Sequence, residues 1–212
     1  MTVSTSVIIK STTLSIINTN VYLPIVLEEP NSLVNLFELL KTAEEGDNIN
    51  INVNCCGGGC LTGIQLINEM LASKANIKTI LNGTSRSMAT FIMLAGDIIE
   101  IYPNSSFMIH YYSGVIEGKG NEMRIKSDFD DEFYKKFFKE QYKYFLTKKE
   151  IKQVINGKDI WLYEKEIIER LKTRVKKLDA KLEKEELEKE ELEKLKETKL
   201  EKKELKKEKD VE

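Results

Sequence analysis

Polar and apolar residues alternate from Asn48 to Asn54, with Ile49, Ile51 and Val53 on one side and asparagines on the other. A period of two predicts a strand with one buried face. Upstream, residues 21–27 read as a strand, and Pro30-Asn31-Ser32 introduces an amphipathic helix through Leu33, Leu36, Phe37, Leu39 and Leu40. After Cys55-Cys56-Gly57-Gly58-Gly59 the apolar spacing lengthens, and Leu61, Ile64, Ile67, Met70 and Leu71 predict a helix. Residues 77–81 form the next expected strand, Asn82-Gly83 a turn, residues 87–95 a helix and residues 97–101 a further strand. Pro103-Asn104-Ser105 then turns the chain into a strand, Phe107-Met108-Ile109, that ends at His110. Short strands alternating with helices predict an α/β domain with mostly parallel pairing.

The second half has a different rhythm. Residues 111–119 read as a loop, with Gly114, Gly118 and Gly120 as its flexible points. Residues 121–145 predict one helix of nearly 40 Å at a rise of about 1.5 Å per residue. It carries two aromatic stripes, Phe129/Phe133/Phe137 and Tyr134/Phe138/Tyr142/Phe145. Either both form one broad core-facing surface, or one meets the parent domain and the other a second copy of the chain. The interleaved Asp128, Asp130, Asp131 and Glu132 read as a solvated face rather than paired catalytic acids. Thr147-Lys148-Lys149-Glu150 is a capping-box pattern that starts a short helix stopping at Asn156-Gly157. An extended turn through Lys158-Asp159-Ile160-Trp161 leads to a helix over residues 164–171.

Composition divides the chain of 212 residues at about residue 172. Residues 1–172 are mixed and long enough to build a core, whereas residues 173–212 are almost entirely Lys, Glu and Leu and favour helix without offering a globular interior. In this tail Leu171, Val175, Leu178 and Leu182 keep a heptad step, but Leu187, Leu192, Leu195, Leu200 and Leu205 mostly step by five and spread the stripe around the helix. Pairs such as Glu185–Lys189 and Glu190–Lys194 would support it. A solubilising extension is the preferred reading over a tether to a partner. The net charge is −2 with interleaved signs, so no basic stripe points to nucleic acid and no polybasic block to a membrane surface. Met1 to Lys10 lacks the layout of a signal peptide, and no run approaches the roughly 18 apolar residues of a membrane span, so a cytoplasmic protein is expected. Cys55, Cys56 and Cys60 are too clustered for a disulfide framework and awkwardly spaced for zinc; neither a metal nor a cofactor is expected.

The candidate chemistry starts from the single histidine. His110 follows Ser87 by 23 positions, and Ser87 opens a predicted helix. A serine hydroxyl becomes a useful nucleophile near neutral pH when a neighbouring base takes its proton, and imidazole has the suitable pKa. A carboxylate should then orient the imidazole. Asp159, beyond a glycine and beside the only tryptophan, is the candidate, expected to be fixed and partly buried and ranked just above Asp97. Gly57-Gly58-Gly59 matches neither GxxxxGK[ST] nor GxGxxG, so phosphate binding is not indicated. Consecutive glycines also let backbone N–H groups approach a ligand, where they can stabilise the oxyanion of an acyl-transfer intermediate; a plain strand-to-helix turn is the other use of such a loop.

Several motifs occur in a telling order: Asn54-Cys55-Cys56-Gly57-Gly58 with Gly63 downstream, Ser87-Met88-Ala89, Pro103-Asn104-Ser105 with Met108-Ile109-His110, and Gly157-Lys158-Asp159. Together they resemble the ClpP family, the proteolytic subunit of the Clp protease, and are especially similar to its divergent phage-encoded branch. The resemblance covers about residues 21–171 and leaves out the tail. It implies a ClpP/crotonase-like spiral of β/α units with a long handle helix, here followed by the charged helical tail. It implies Ser87 as nucleophile, His110 as general base, Asp159 as the third triad member, and an oxyanion hole from the N–H groups of Gly58 and Met88. Polypeptide substrates, a homo-oligomer built as a heptameric ring or pair of rings, and an AAA+ unfoldase partner belong to the same implication, as does the cytoplasm of a host cell for a phage-encoded chain. The family usually places Ser-Pro where this chain has Cys55-Cys56, a departure that bears on the rigidity of the loop. Two further readings stand beside the peptidase: a catalytically inactive scaffold that keeps the fold, and a crotonase-type acyl-CoA enzyme, which needs the backbone oxyanion hole but no triad.

Overall fold

The computed structural model describes residues 16–209, with side chains described through residue 189. Met1 to Lys10 and the tail leucines from Leu192 onward lie outside the described side chains, as does the Glu190–Lys194 pair. The chain divides into two compact units, residues 1–109 and 110–212.

In the first unit, strands β1 (Asn18–Tyr22), β2 (Asn48–Cys55), β3 (Asn76–Arg86), β4 (Ile98–Ile101) and β5 (Ser106–Ile109) alternate with helices α1 (Val34–Thr42), α2 (Cys60–Ala72) and α3 (Met88–Leu94). The pairings β1–β2, β2–β3, β3–β4 and β3–β5 are all parallel, as the alternation of elements predicts. Ile49, Ile51 and Val53 turn inward from β2, against a core to which α1 gives Leu36, Phe37 and Leu40, α2 gives Leu66, Ile67 and Met70, and α3 gives Ile92 and Met93. The intervening asparagines occupy the other face, where Asn48 donates to Asn18 (3.0 Å), Asn50 to Asn20 (3.1 Å) and Asn76 to Asn48 (3.3 Å). Amide ladders of this kind fix the register of strands whose outer face is not packed.

Two expectations change here. The predicted strand over residues 21–27 is shifted: β1 ends at Tyr22, and Leu27 contributes an isolated parallel bridge to Gly58. The predicted turn at Asn82-Gly83 lies inside β3, which pairs with β4 through Lys78–Leu81 and with β5 through Thr84–Arg86. Gly83 (φ 125°) is the point of exchange. A Cβ there would sit 2.6 Å from Asn54 Oδ1, the atom that accepts the Thr84 N–H at 3.1 Å. The Asn54 side chain therefore carries the strand past its glycine, and a turn dipeptide becomes a change of partner.

The second unit contains α4 (Gly120–Tyr142), α5 (Lys148–Ile155), β6 (Ile160–Tyr163) and α6 (Glu164–Lys209). Of the two aromatic stripes on α4, Phe138 and Tyr142 are buried together with Phe145, whereas Phe129 (67 % exposed) and Phe133 face outward and stack on each other at 6.1 Å. The acidic cluster is not wholly solvated, because the Asp131 carboxylate accepts the Tyr111 hydroxyl at 3.1 Å. Burial, and then the bond to Asp131, push the Tyr111 hydroxyl well above its usual range. The tail continues α6 without interruption. Among its described side chains the ion pairs are Lys181–Glu185 and Lys184–Glu188, so Glu185 takes the lysine before it rather than the expected Lys189.

The predicted capping box at Thr147 forms: Glu150 N–H donates to Thr147 Oγ1 (3.2 Å), and Glu150 Oε2 accepts the Thr147 N–H (2.8 Å). Arg170 adds two guanidinium bonds to the same carboxylate, at 2.7 and 3.1 Å, tying α6 to the start of α5. The Arg170 hydrogen bonds, helped by Thr147 and opposed by burial, hold the Glu150 carboxyl down at about 2. Its folded pKa lies below its unfolded value, so the stabilisation is complete above about pH 4.5 and is lost as pH falls through about 2. Arg170→Met should cost about 1–3 kcal/mol at neutral pH. The gap between parent and variant in urea unfolding should close between pH 5 and pH 2, and a gap independent of pH would assign Arg170 a packing role only.

Candidate active site

The site begins with backbone geometry in the first unit. Ser87 follows β3 and precedes α3 with φ 51° and ψ −126°, a conformation unfavourable for a residue with a Cβ. Three bonds hold it there. Its N–H donates to Met108 O on β5 (2.8 Å), and its carbonyl accepts both the N–H (3.0 Å) and the hydroxyl (2.7 Å) of Thr90. The half-buried Ser87 side chain is thereby turned out of the strand-to-helix corner, and within this unit its hydroxyl has no hydrogen-bond partner. The helix that follows has only seven residues. Any electrostatic help to a bound oxyanion therefore comes from local N–H groups more than from a long helix dipole.

The glycine loop lies directly against this corner. A Cβ on Gly57 (φ 87°) would stand 2.6 Å from Arg86 O, 2.8 Å from Ser87 Cβ and 3.0 Å from Met88 N. On its other side the loop is stitched to the 25–27 segment, with Cys56 N–H donating to Ile25 O (2.7 Å), Leu27 N–H to Gly57 O (2.7 Å) and Gly59 N–H to Leu27 O (2.8 Å). With Gly57 O and Gly59 N–H spent on Leu27, the parallel pattern directs the N–H of Gly58 away from that segment. Among the described residues neither the Gly58 nor the Met88 N–H has an acceptor. Unpaired donors of this kind beside a serine are suited to holding a negative oxygen. The Met88 side chain lies over Gly63, where a Cβ would be 2.1 Å from Met88 Cγ.

In the sequence Cys55 stands out as a departure from the family and as one of three cysteines ill-spaced for a disulfide or zinc, not as a support of the loop. Within the structure it is fully buried, and its sulfur accepts the Gly57 N–H at 3.4 Å, so it fixes the loop from beneath. Burial pushes the Cys55 thiol up, away from the thiolate. The 25–27 segment, read only as a strand, is the other support that was missed; Leu27 is its buried residue, whereas Ile25 and Val26 are exposed.

His110 is half-buried, one position beyond β5, and begins the second unit. Tyr111 and Tyr112 after it are anchored to α4, Tyr111 on Phe138 (5.9 Å between ring centres) and Tyr112 on Tyr134 (4.6 Å). Asp159 lies between Gly157 (φ 93°) and β6 and is exposed, contrary to the expected partial burial: the glycine that ends α5 presents the residues after it to solvent. Within the second unit no hydrogen bond joins its carboxylate to the His110 imidazole. The rival carboxylate Asp97 is already committed, accepting the Ile77 N–H at 2.8 Å where β3 begins. Thus the structure brings Ser87, Met88 and Gly58 together in one unit and places His110 and Asp159 in the other.

Comparison with known proteins matches this region. A family model described as Clp protease covers residues 16–139, which include the glycine loop, Ser87 and His110 but stop before Asp159. The chain is similar to the ATP-dependent Clp protease proteolytic subunit of Pleurastrum terricola, with 34 % identity over 98 residues, 45 % of this chain and 50 % of the relative. It is also similar to the protein of the same name from Chlorella vulgaris, with 31 % identity over 102 residues, 47 % of this chain and 51 % of the relative. The chain spans about half the length of these curated relatives. With more than half of its residues matched by the family model, the chain belongs to the Clp protease family.

Proposed function

We propose that the chain is a Clp-type serine endopeptidase that hydrolyses polypeptides through Ser87, His110 and Asp159, inside a chamber formed by several copies in the cytoplasm. The observation that carries this reading is the Ser87 corner, with its unfavourable φ and the unpaired N–H groups of Gly58 and Met88 beside it. Ser87 Oγ attacks a peptide carbonyl while His110 accepts its proton, and the new oxyanion is held by the two N–H groups. His110 then protonates the leaving amine, and water releases the acyl group by the same route in reverse. Chain connectivity supports the pairing of serine and histidine, since Met108, whose carbonyl accepts the Ser87 N–H, precedes His110 by two positions. Asp159 orients the imidazole, a role that rests on the Gly157-Lys158-Asp159 motif. Feeding of substrate by an AAA+ unfoldase belongs to the same proposal.

A second reading draws on one observation. The exposure of Asp159 and the lack of a hydrogen bond between it and His110 favour a scaffold that keeps the fold without turnover. A fluorophosphonate probe separates the two, read by intact mass and peptide mapping on the full chain and on His110→Ala. A single adduct at Ser87 that is lost in His110→Ala is the expected result. No adduct in an assembled sample would leave the scaffold reading.

A further inference from the structure

The tail and the surface of α5 take no part in the proposed chemistry, yet they complement each other. Between α4 and α5 lies a groove of about 610 Å³. Lys135 and Lys139 on α4 and Lys143 just past its end follow one another at four-residue spacing along one wall, and Lys148 and Lys152 do so along the α5 wall. Ile151 and Ile155 also line it, and Glu140 is its one acid. Lys135 is already paired with Asp131 at 3.6 Å, whereas the ammonium groups of Lys139, Lys143, Lys148 and Lys152 share only Glu140 around an apolar floor and repel one another unless an acidic occupant lies between them. Successive lysines on each wall are spaced by about 6 Å, the rise of four helical residues.

The complementary element is in the same chain. Residues 183–193 contain seven glutamates against two lysines, with Leu187 and Leu192 among them. Leu187 is 62 % exposed. The run keeps the same repeat at Glu186 and Glu190, four residues apart. No described side chain of α6 lines the groove, and α6 runs as one helix to Lys209 with neither Gly nor Pro at which to double back. The intrahelical pairs Lys181–Glu185 and Lys184–Glu188 are exposed and weakly held, so they leave the glutamates able to exchange partners.

We infer that the lysine-walled groove between α4 and α5 is a docking site for the glutamate- and leucine-bearing tail, residues 183–193, of a second copy of this chain. Leucine meets the isoleucine floor, and glutamates meet the lysines of the two walls. The helix places this segment roughly 30–45 Å from the start of α6, a reach suited to bridging between copies.

The test uses full-length chain, half labelled with ¹⁵N, joined by a carbodiimide that couples carboxylates to amines in direct contact. The expected products are mixed-isotope peptides linking Glu183–Glu193 to Lys139, Lys143 or Lys152. A triple reversal, Lys139→Glu, Lys143→Glu and Lys152→Glu, removes the amines at those positions and is therefore read at the two groove lysines that remain: links from Glu183–Glu193 to Lys135 and Lys148 should fall about tenfold against the parent. Mixing that variant with Glu186→Lys/Glu190→Lys chains should restore linkage with the polarity reversed. Circular dichroism confirms that each variant is folded. Links within one copy only, inter-copy links spread evenly over the surface lysines, or no links at all would each overturn the proposal.

Discussion

Ser87→Ala is expected to lower peptide turnover by about four to six orders of magnitude while leaving the fold intact, and Ser87→Gly to be equally inactive but more stable than either. The first effect follows from the chemistry proposed for the hydroxyl: without it no acyl-enzyme forms, and only the N–H donors remain to bias a carbonyl toward attack. The second follows from the backbone. Ser87 sits at φ 51° and ψ −126°, where a Cβ costs about 1–3 kcal/mol and glycine has no such penalty. Alanine keeps the Cβ and hence the strain. Glycine relieves it at the expense of a more flexible unfolded chain, for a net gain of about 1 kcal/mol, or a rise of about 2–4 °C in Tm. Hydrolysis of a fluorogenic peptide and thermal unfolding of the three proteins measure both effects. Turnover by Ser87→Ala at the parental rate would remove Ser87 from the mechanism. Ser87→Gly melting below Ser87→Ala would mean that the corner is not strained.

The fold and the turn that carries Ser87 were largely legible in the sequence because each rested on local, periodic signals. The alternation of Asn and Ile through β2, the glycine loop before α2 and the Thr147 capping box each specify their geometry within a few residues. What escaped was set by tertiary context. Asn82-Gly83 carries a strong turn signal, yet β3 runs through it because Asn54, almost thirty positions away, supplies a hydrogen bond that no local pattern reveals. Cys55 read as a departure that bears on the loop's rigidity, and it is a buried acceptor for the Gly57 N–H, a role visible only once β2 and the loop are folded. Asp159 shows the opposite limit. Its motif is readable by resemblance, but the burial expected of an orienting carboxylate was inferred from neighbours in the chain, and such neighbours do not determine exposure.

Gly58→Ala should be severely damaging, with a loss of about 3 kcal/mol or more in stability and about a 10²–10³-fold slower rate of acylation. Its φ of 131° is closed to residues with a Cβ, and the added carbon would stand 2.2 Å from Leu27 O and 2.9 Å from Leu27 N. Both are backbone atoms of the segment that holds the loop, so relief requires breaking the Leu27 hydrogen bonds and moving the Gly58 N–H. Gly57→Ala faces Arg86 O at 2.6 Å and belongs to the same class. Gly63→Ala is milder although its closest approach is 2.1 Å, because the atoms it meets are Cγ and Sδ of Met88, which can swing aside. About 1–2 kcal/mol is expected there. Gly114→Ala, with nothing within 4 Å, is the neutral control. Urea unfolding and the rate of fluorophosphonate labelling should rank Gly58 and Gly57 together, Gly63 next and Gly114 last. If Gly58→Ala labelled as fast as the parent, its N–H could not be the oxyanion donor. Such a result would leave Met88 and the strained corner as the remaining supports for acyl transfer at Ser87.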